Sequence, residues 1–185
     1  MKNMIKRFFL AIIILGFVLC IAACSDNSEE LFDSFDFSAC SDNNEELFDG
    51  FDFSLGFGYG GGKNCIDTYN GTFTKDLIPG TKTIELIVPE DKMREIYELF
   101  LDYKIYDLPQ NIRGENRVMP DFTYIFTYTY KKSTKTIVCE NVDSIRYFGE
   151  KGEQKNFISF ADMIRDYVFN TEEYENMPPA NGGYL

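Results

Sequence analysis

The chain has 185 residues, with 30 Asp+Glu against 18 Lys+Arg and a net charge of −12; it contains no His and no Trp. Nucleic-acid binding needs clustered cations, so this balance excludes a nucleic-acid partner. Without histidine there is no Cys–His dyad, and with no C-x-x-C either, thiol catalysis is disfavoured.

Residues 1–23 read as a targeting segment. Lys2, Lys6 and Arg7 form a positive n-region, and FFLAIIILGFVLCIAA comes next as an uncharged apolar run. That run is shorter than the roughly 20 apolar residues of a membrane span. It ends in Ile21-Ala22-Ala23-Cys24, which resembles the lipobox of bacterial lipoproteins: an aliphatic residue, two small ones, and the cysteine that is lipidated. Cys20 lies inside the apolar run and lacks the small residue before it, so it reads as apolar filler. The resemblance implies cleavage before Cys24 and a diacylglyceryl group on its thiol. It also implies export and attachment to a membrane by lipid. In a Gram-negative cell, Ser25 rather than Asp after the cysteine points to the outer membrane or cell surface. In a Gram-positive cell the same pattern means the outer face of the plasma membrane. Loss of the three signal cations takes the net charge to −15.

Residues 24–63 read as a flexible acidic tether. It holds a tandem repeat, ACSDNSEELFDSFDFS (23–38) and ACSDNNEELFDGFDFS (39–54), identical at 14 of 16 positions. Two copies of period 16 fall short of a stacked repeat fold. The glycine-rich SLGFGYGGGK at the end of the segment holds neither helix nor strand firmly. As a coil the segment spans roughly 31 to 37 Å. The match to G-x-G-x-x-G at Gly56–Gly61 is rejected, because it does not stand between a strand and a helix. The second cysteine, Cys40, has no apolar run before it and is not expected to be processed. The repeat's acids do not fit a calcium loop and read as solvated charge, so no metal and no cofactor are expected. Whether Leu31, Phe32, Leu47 and Phe48 touch anything is open.

From Asn64 the composition is that of a globular domain, 64–178, with a tail at 179–185. DTYNGTFTKDL (67–77) reads as a strand, IPGT as a turn, and KTIELIV (82–88) as the return strand. Pro89-Glu90-Asp91 opens a helix with Met93, Ile96, Tyr97 and Phe100 on one face. A loop at 110–121 leads to FTYIFTYTY (122–130), the clearest strand, and KTIVCENV (135–142) returns beside it. SIRYF (144–148) reads as a third short strand. A last helix covers 155–170, with Phe157, Phe160, Ala161, Ile164 and Val168 on one face. The order β-β-α-β-β-(β)-α predicts an α+β domain: a mostly antiparallel sheet of four or five strands with two helices on one face.

Two candidates carry chemistry. The row Phe122, Tyr124, Phe126, Tyr128, Tyr130 either packs under the helices, the favoured reading, or offers Tyr124, Tyr128 and Tyr130 as a platform for a glycan or extended ligand. Tyr128 and Tyr130, nearest the turn, are expected to reach solvent. Cys65 and Cys139 either form a disulfide, which the exported compartment permits, or Cys139 is a buried free thiol. No carboxylate pair is selected by spacing, so no catalytic residue is nominated. The function expected is that of a lipid-anchored envelope protein that binds rather than catalyses, with an envelope protein or glycan as partner. A structural or assembly role is the alternative, and a carboxylate hydrolase a lesser one.

Overall fold

The computed structural model describes residue 48 and residues 50–115, 119–148 and 152–182. The targeting segment, the lipobox with Cys24, the first repeat copy, Cys40 and Leu47 lie outside the described residues. The described part is α+β and is built on one seven-stranded sheet.

The strands are β1 (Asp52–Gly58), β2 (Asn64–Asp67), β3 (Thr72–Asp76), β4 (Thr81–Glu85), β5 (Asn111–Arg113), β6 (Phe122–Tyr130) and β7 (Ser133–Glu140). Their order across the sheet is β4-β3-β2-β1-β6-β7-β5. All neighbours are antiparallel except β5 and β7, which run parallel. The helices are α1 (Glu90–Asp102), α2 (Val142–Phe148), α3 (Gly152–Phe169) and α4 (Glu172–Glu175). A helical turn at Tyr59–Gly62 and a 3₁₀ turn at Ile105–Asp107 complete the set.

The largest departure from expectation is β1. The tether expected to run to residue 63 ends earlier, because Asp52–Gly58 is the central strand, paired with β2 on one side and β6 on the other. Phe53, Leu55 and Phe57 alternate onto the helix side and are 0–1% exposed. Burying a side chain of that size favours folding by roughly 1.5–3 kcal/mol, enough to outweigh the poor strand propensity of Asp52, Gly56 and Gly58. Asp52 escapes burial at the strand start, where its carboxylate accepts a hydrogen bond from the Thr68 hydroxyl at 2.9 Å. The glycine-rich stretch is a hairpin link: Gly60 and Gly61 take positive φ, 70° and 92°, a conformation that β-carbon sterics disfavour in other residues. A Cβ on Gly56 would meet the Gly62 carbonyl oxygen at 3.0 Å, so the link folds tightly back on its own strand.

Three further expectations are corrected. Residues 67–77 are not one strand, since β2 and β3 turn at Thr68–Gly71. The loop 110–121 contains β5. SIRYF is the body of α2, with Val142, Ser144 and Ile145 buried; Val142 and Ile145 stand about one helical turn apart. The sheet thus has seven strands, mixed in direction, against the four or five expected.

The helix side of the sheet carries the core. Phe126 meets Phe160 of α3 at 5.2 Å between ring centroids, and Phe100 of α1 meets Tyr128 at 4.9 Å. Phe100 and Phe160 close the gap between the two helices at 6.4 Å. The opposite side is polar: hydroxyl pairs Thr127–Thr136, Thr129–Thr134 and Thr74–Thr83 bridge neighbouring strands.

Candidate functional site

The aromatic row of β6 lies inside the core rather than on an open face. Tyr124 is 0% and Tyr128 1% exposed, so neither can serve as a platform, and Tyr128 does not reach solvent. Tyr130 is half-buried and stacks on Tyr106 at 5.5 Å. The favoured reading, packing under the helices, is what the structure contains.

Tyr124 solves its buried-hydroxyl problem with a charged cluster. Its phenol donates to the Asp162 carboxylate and accepts from Arg165 Nη1 at 3.0 Å. The same carboxylate takes Arg146 at 2.5 Å and Arg165 at 2.7 Å. Asp143 and Asp166 cover the outer sides of the two arginines at 3.2 and 2.8 Å. Burial first, then the hydrogen bond and charge of Asp162, push the Tyr124 phenol far above its ordinary range. Burial works against the Arg165 charge, but Tyr124, Asp166 and Asp162 more than offset it, and its pKa is raised. The cluster is internally satisfied.

The thiols do not meet. Cys65 pairs across to Gly56, Gly56 to Ile125 and Ile125 to Val138, the neighbour of Cys139. Three strand spacings separate them, about 14 Å, whereas a disulfide needs Cα atoms within about 7 Å. Both are free thiols, Cys139 buried and Cys65 half-buried. Burial pushes Cys139 up to about 12.

The sequence did not mark the site that stands out geometrically. Beside the charged cluster is a pocket of about 610 Å³, walled by β1, β2, β3, β6, α3, α4 and the chain after α4. Phe57, the last aromatic of β1, and Phe122, the first of β6, form one wall, with Tyr59 edge-on to Phe122 at 5.1 Å. Phe169 and Tyr174 form the other, 4.8 Å apart, and Phe57 meets Phe169 at 5.7 Å. Asn64 ties the floor: its amide donates to the Phe57 carbonyl at 3.2 Å, and its oxygen accepts the Asp76 amide at 3.0 Å.

Two cations stand in this pocket, each beside an aromatic ring. Arg165 lies 5.9 Å from the centre of Phe169, and the Lys75 ammonium lies 4.2 Å over Tyr174. Arg165 is matched by Asp162 and Asp166. Lys75 is only 9% exposed, yet none of the ion pairs among the described residues includes it. Asp76 also lines the pocket, and its carboxylate accepts the Ile78 amide at 3.3 Å. Burial raises the Tyr174 phenol, and burial with nearby Asp143 raises that of Tyr59, so both rings present neutral hydroxyls. The signal for Lys75 is available in the sequence: TFTKD puts a lysine two positions after Phe73, on the strand's buried face. Phe169 and Tyr174 lie where the helical pattern ends, and no periodicity joins them to β1 or β3.

No family model matches the chain, and no curated protein matches it in sequence. Among the described residues no group of three or more Cys, Asp or Glu is placed to hold a metal ion, and no helix is long and apolar enough to cross a membrane.

Proposed function

We propose that this chain is a lipid-anchored cell-envelope protein whose folded domain is a binding module, with the aromatic pocket as its ligand site. The anchor rests on the positive n-region, the apolar run and the lipobox ending at Cys24. Two acyl chains on that cysteine suffice for stable attachment.

The binding role rests on one observation: a roughly 610 Å³ pocket walled by aromatic rings keeps the buried Lys75 at its surface without an ion-pair partner among the described residues. That volume is in the range of small-molecule sites, which combine apolar walls with a few placed polar groups. Binding is favoured over catalysis because Tyr124, Asp162, Arg146 and Arg165 use their hydrogen bonds on one another. A second reading, docking to another envelope protein, is favoured by the neighbouring aromatics Tyr147 and Phe148, 76% and 61% exposed at the end of α2.

Metabolic labelling with palmitate tests the anchor: Cys24→Ser should lose both label and membrane retention, and a labelled mutant rejects the assignment. The pocket is tested by saturation-transfer NMR on the full chain in detergent against a fragment mixture of mixed charge. Signals should appear with the unmodified protein and vanish in Phe169→Trp, whose larger ring fills the space. Absence of signals, or equal signals in both proteins, removes the pocket reading.

A further inference from the structure

We infer that the pocket takes a small organic anion, a carboxylate or phosphate head on a flat apolar body, with the head at Lys75. This rests on the proposal that the pocket is a ligand site.

The Lys75 side chain is largely covered, but its ammonium is not a fully buried atom and opens into the pocket, where an anion can replace the water around it. The Tyr174 ring at 4.2 Å supplies part of what water would, but a ring quadrupole accepts no hydrogen bond of the strength a carboxylate does. Lys75 therefore keeps donors that the described protein groups leave to a ligand. Arg165 differs, because its guanidinium is already held by Tyr124, Asp162 and Asp166. The Asp76 carboxylate accepts the Ile78 amide, and among the described residues no ion pair joins it to Lys75. Phe57, Phe122, Phe169 and Tyr174 line the pocket and offer a ligand apolar ring surface. A cation and aromatic rings lining one pocket define the ligand: an anionic head, an aromatic or similarly apolar body, and no requirement for positive charge.

The test compares four probes that share one body: 1-naphthylacetate, 1-naphthyl phosphate, 1-naphthylacetamide and 1-naphthylmethylamine. Each is titrated into the full chain in detergent, with tyrosine fluorescence or calorimetry as the readout. The carboxylate or the phosphate should bind at least about tenfold more tightly than the amide, a difference of about 1.4 kcal/mol, and the amine should bind most weakly. Which anion leads identifies the head group. Lys75→Met should abolish the preference for the anions over the amide, while Lys75→Arg should retain it. Equal binding of amide and anions, or an unchanged anion preference in Lys75→Met, overturns the inference and leaves the pocket standing. If no probe binds, pocket and inference fall together. The four-probe comparison on the unmodified protein decides the matter without any variant having to fold.

Discussion

Phe48 stands edge-on to Tyr97, their ring centroids 5.7 Å apart and their planes at 60°. Phe48 belongs to the second copy of the acidic repeat, and Tyr97 to the buried face of α1. Arg94 covers the other side of the Phe48 ring at 4.4 Å. Phe51, three residues on, packs at 5.1 Å from Tyr97 and 5.0 Å from Phe100. The phenylalanines that look like decoration on a charged linker are core residues, and this end of the second copy is part of the domain.

Which copy fills the strand is decided by the residues on its C-terminal side. Removing residues 39–54 places the first copy directly before Leu55 and recreates ELFD-x-FDFS-LGFG, with Ser34 in place of Gly50. A Cβ at Gly50 meets nothing within 4 Å, so the serine fits. The deletion should shift Tm by no more than about 2 °C, the scale of a surface substitution. Removing 23–54 deletes Asp52, Phe53 and Ser54 from the start of β1 and should leave no cooperative transition by circular dichroism. A fall beyond about 5 °C on removing one copy would mean that the copies are not interchangeable.

Phe53→Ala separates a structural β1 from a solvated tether. The side chain is fully buried and meets Phe126 at 5.7 Å and Phe51 at 6.0 Å. Its truncation should destabilise the domain by about 3–5 kcal/mol in urea unfolding. A loss under about 0.5 kcal/mol, typical of exposed positions, would return residues 51–54 to the tether.

Tyr128→Phe should stabilise the protein near neutral pH by about 1 kcal/mol. The Tyr128 hydroxyl is buried with no hydrogen-bond partner among the described residues, and an unsatisfied buried donor carries a desolvation penalty of that order. Burial, with the Asp107 charge adding to it, pushes this phenol up to about 12. A raised acid pKa means the unfolded chain releases its proton first. The associated stability is fully present below about pH 10 and drains away as pH rises towards about 12, at up to about 1.4 kcal/mol per pH unit. In the variant the alkaline fall should be shallower by this one proton; an identical slope would show that Tyr128 does not titrate as its burial requires.

The thiols offer a chemical check on strand order. Iodoacetamide at mildly alkaline pH should leave Cys139 untouched until the chain is denatured, since burial keeps it protonated and covered. Cys65, half-buried and raised by burial and then by Asp67, should react slowly. A Cys65–Cys139 linked peptide in a non-reducing digest would contradict the three-strand separation.

Legibility in the sequence tracks periodicity. FTYIFTYTY marks β6 to the residue, and the 3–4 spacing of Phe157, Phe160, Ala161 and Ile164 marks the buried face of α3. β1 carries an equally clear pattern, Phe51, Phe53, Leu55 and Phe57 alternating with Asp52, Ser54, Gly56 and Gly58. It straddles the repeat boundary at Ser54, so dividing the chain by similarity cuts the strand in two. SIRYF reads as a strand because five residues are too few to tell a period of 2 from one of 3.6. The pocket is invisible for another reason: Phe57, Lys75 and Phe122 are joined only by strand order and Phe169 only by the packing of α3 on the sheet, and no local pattern encodes either.

The position of that boundary bears on heredity. Because any copy that abuts Leu55 completes β1, in-frame slippage that gains or loses a whole repeat upstream restores the residues that make the Phe51 and Phe53 contacts. Each event would add or remove sixteen residues and five negative charges. Such events would change the length and charge ahead of the domain without changing the sequence that forms the pocket.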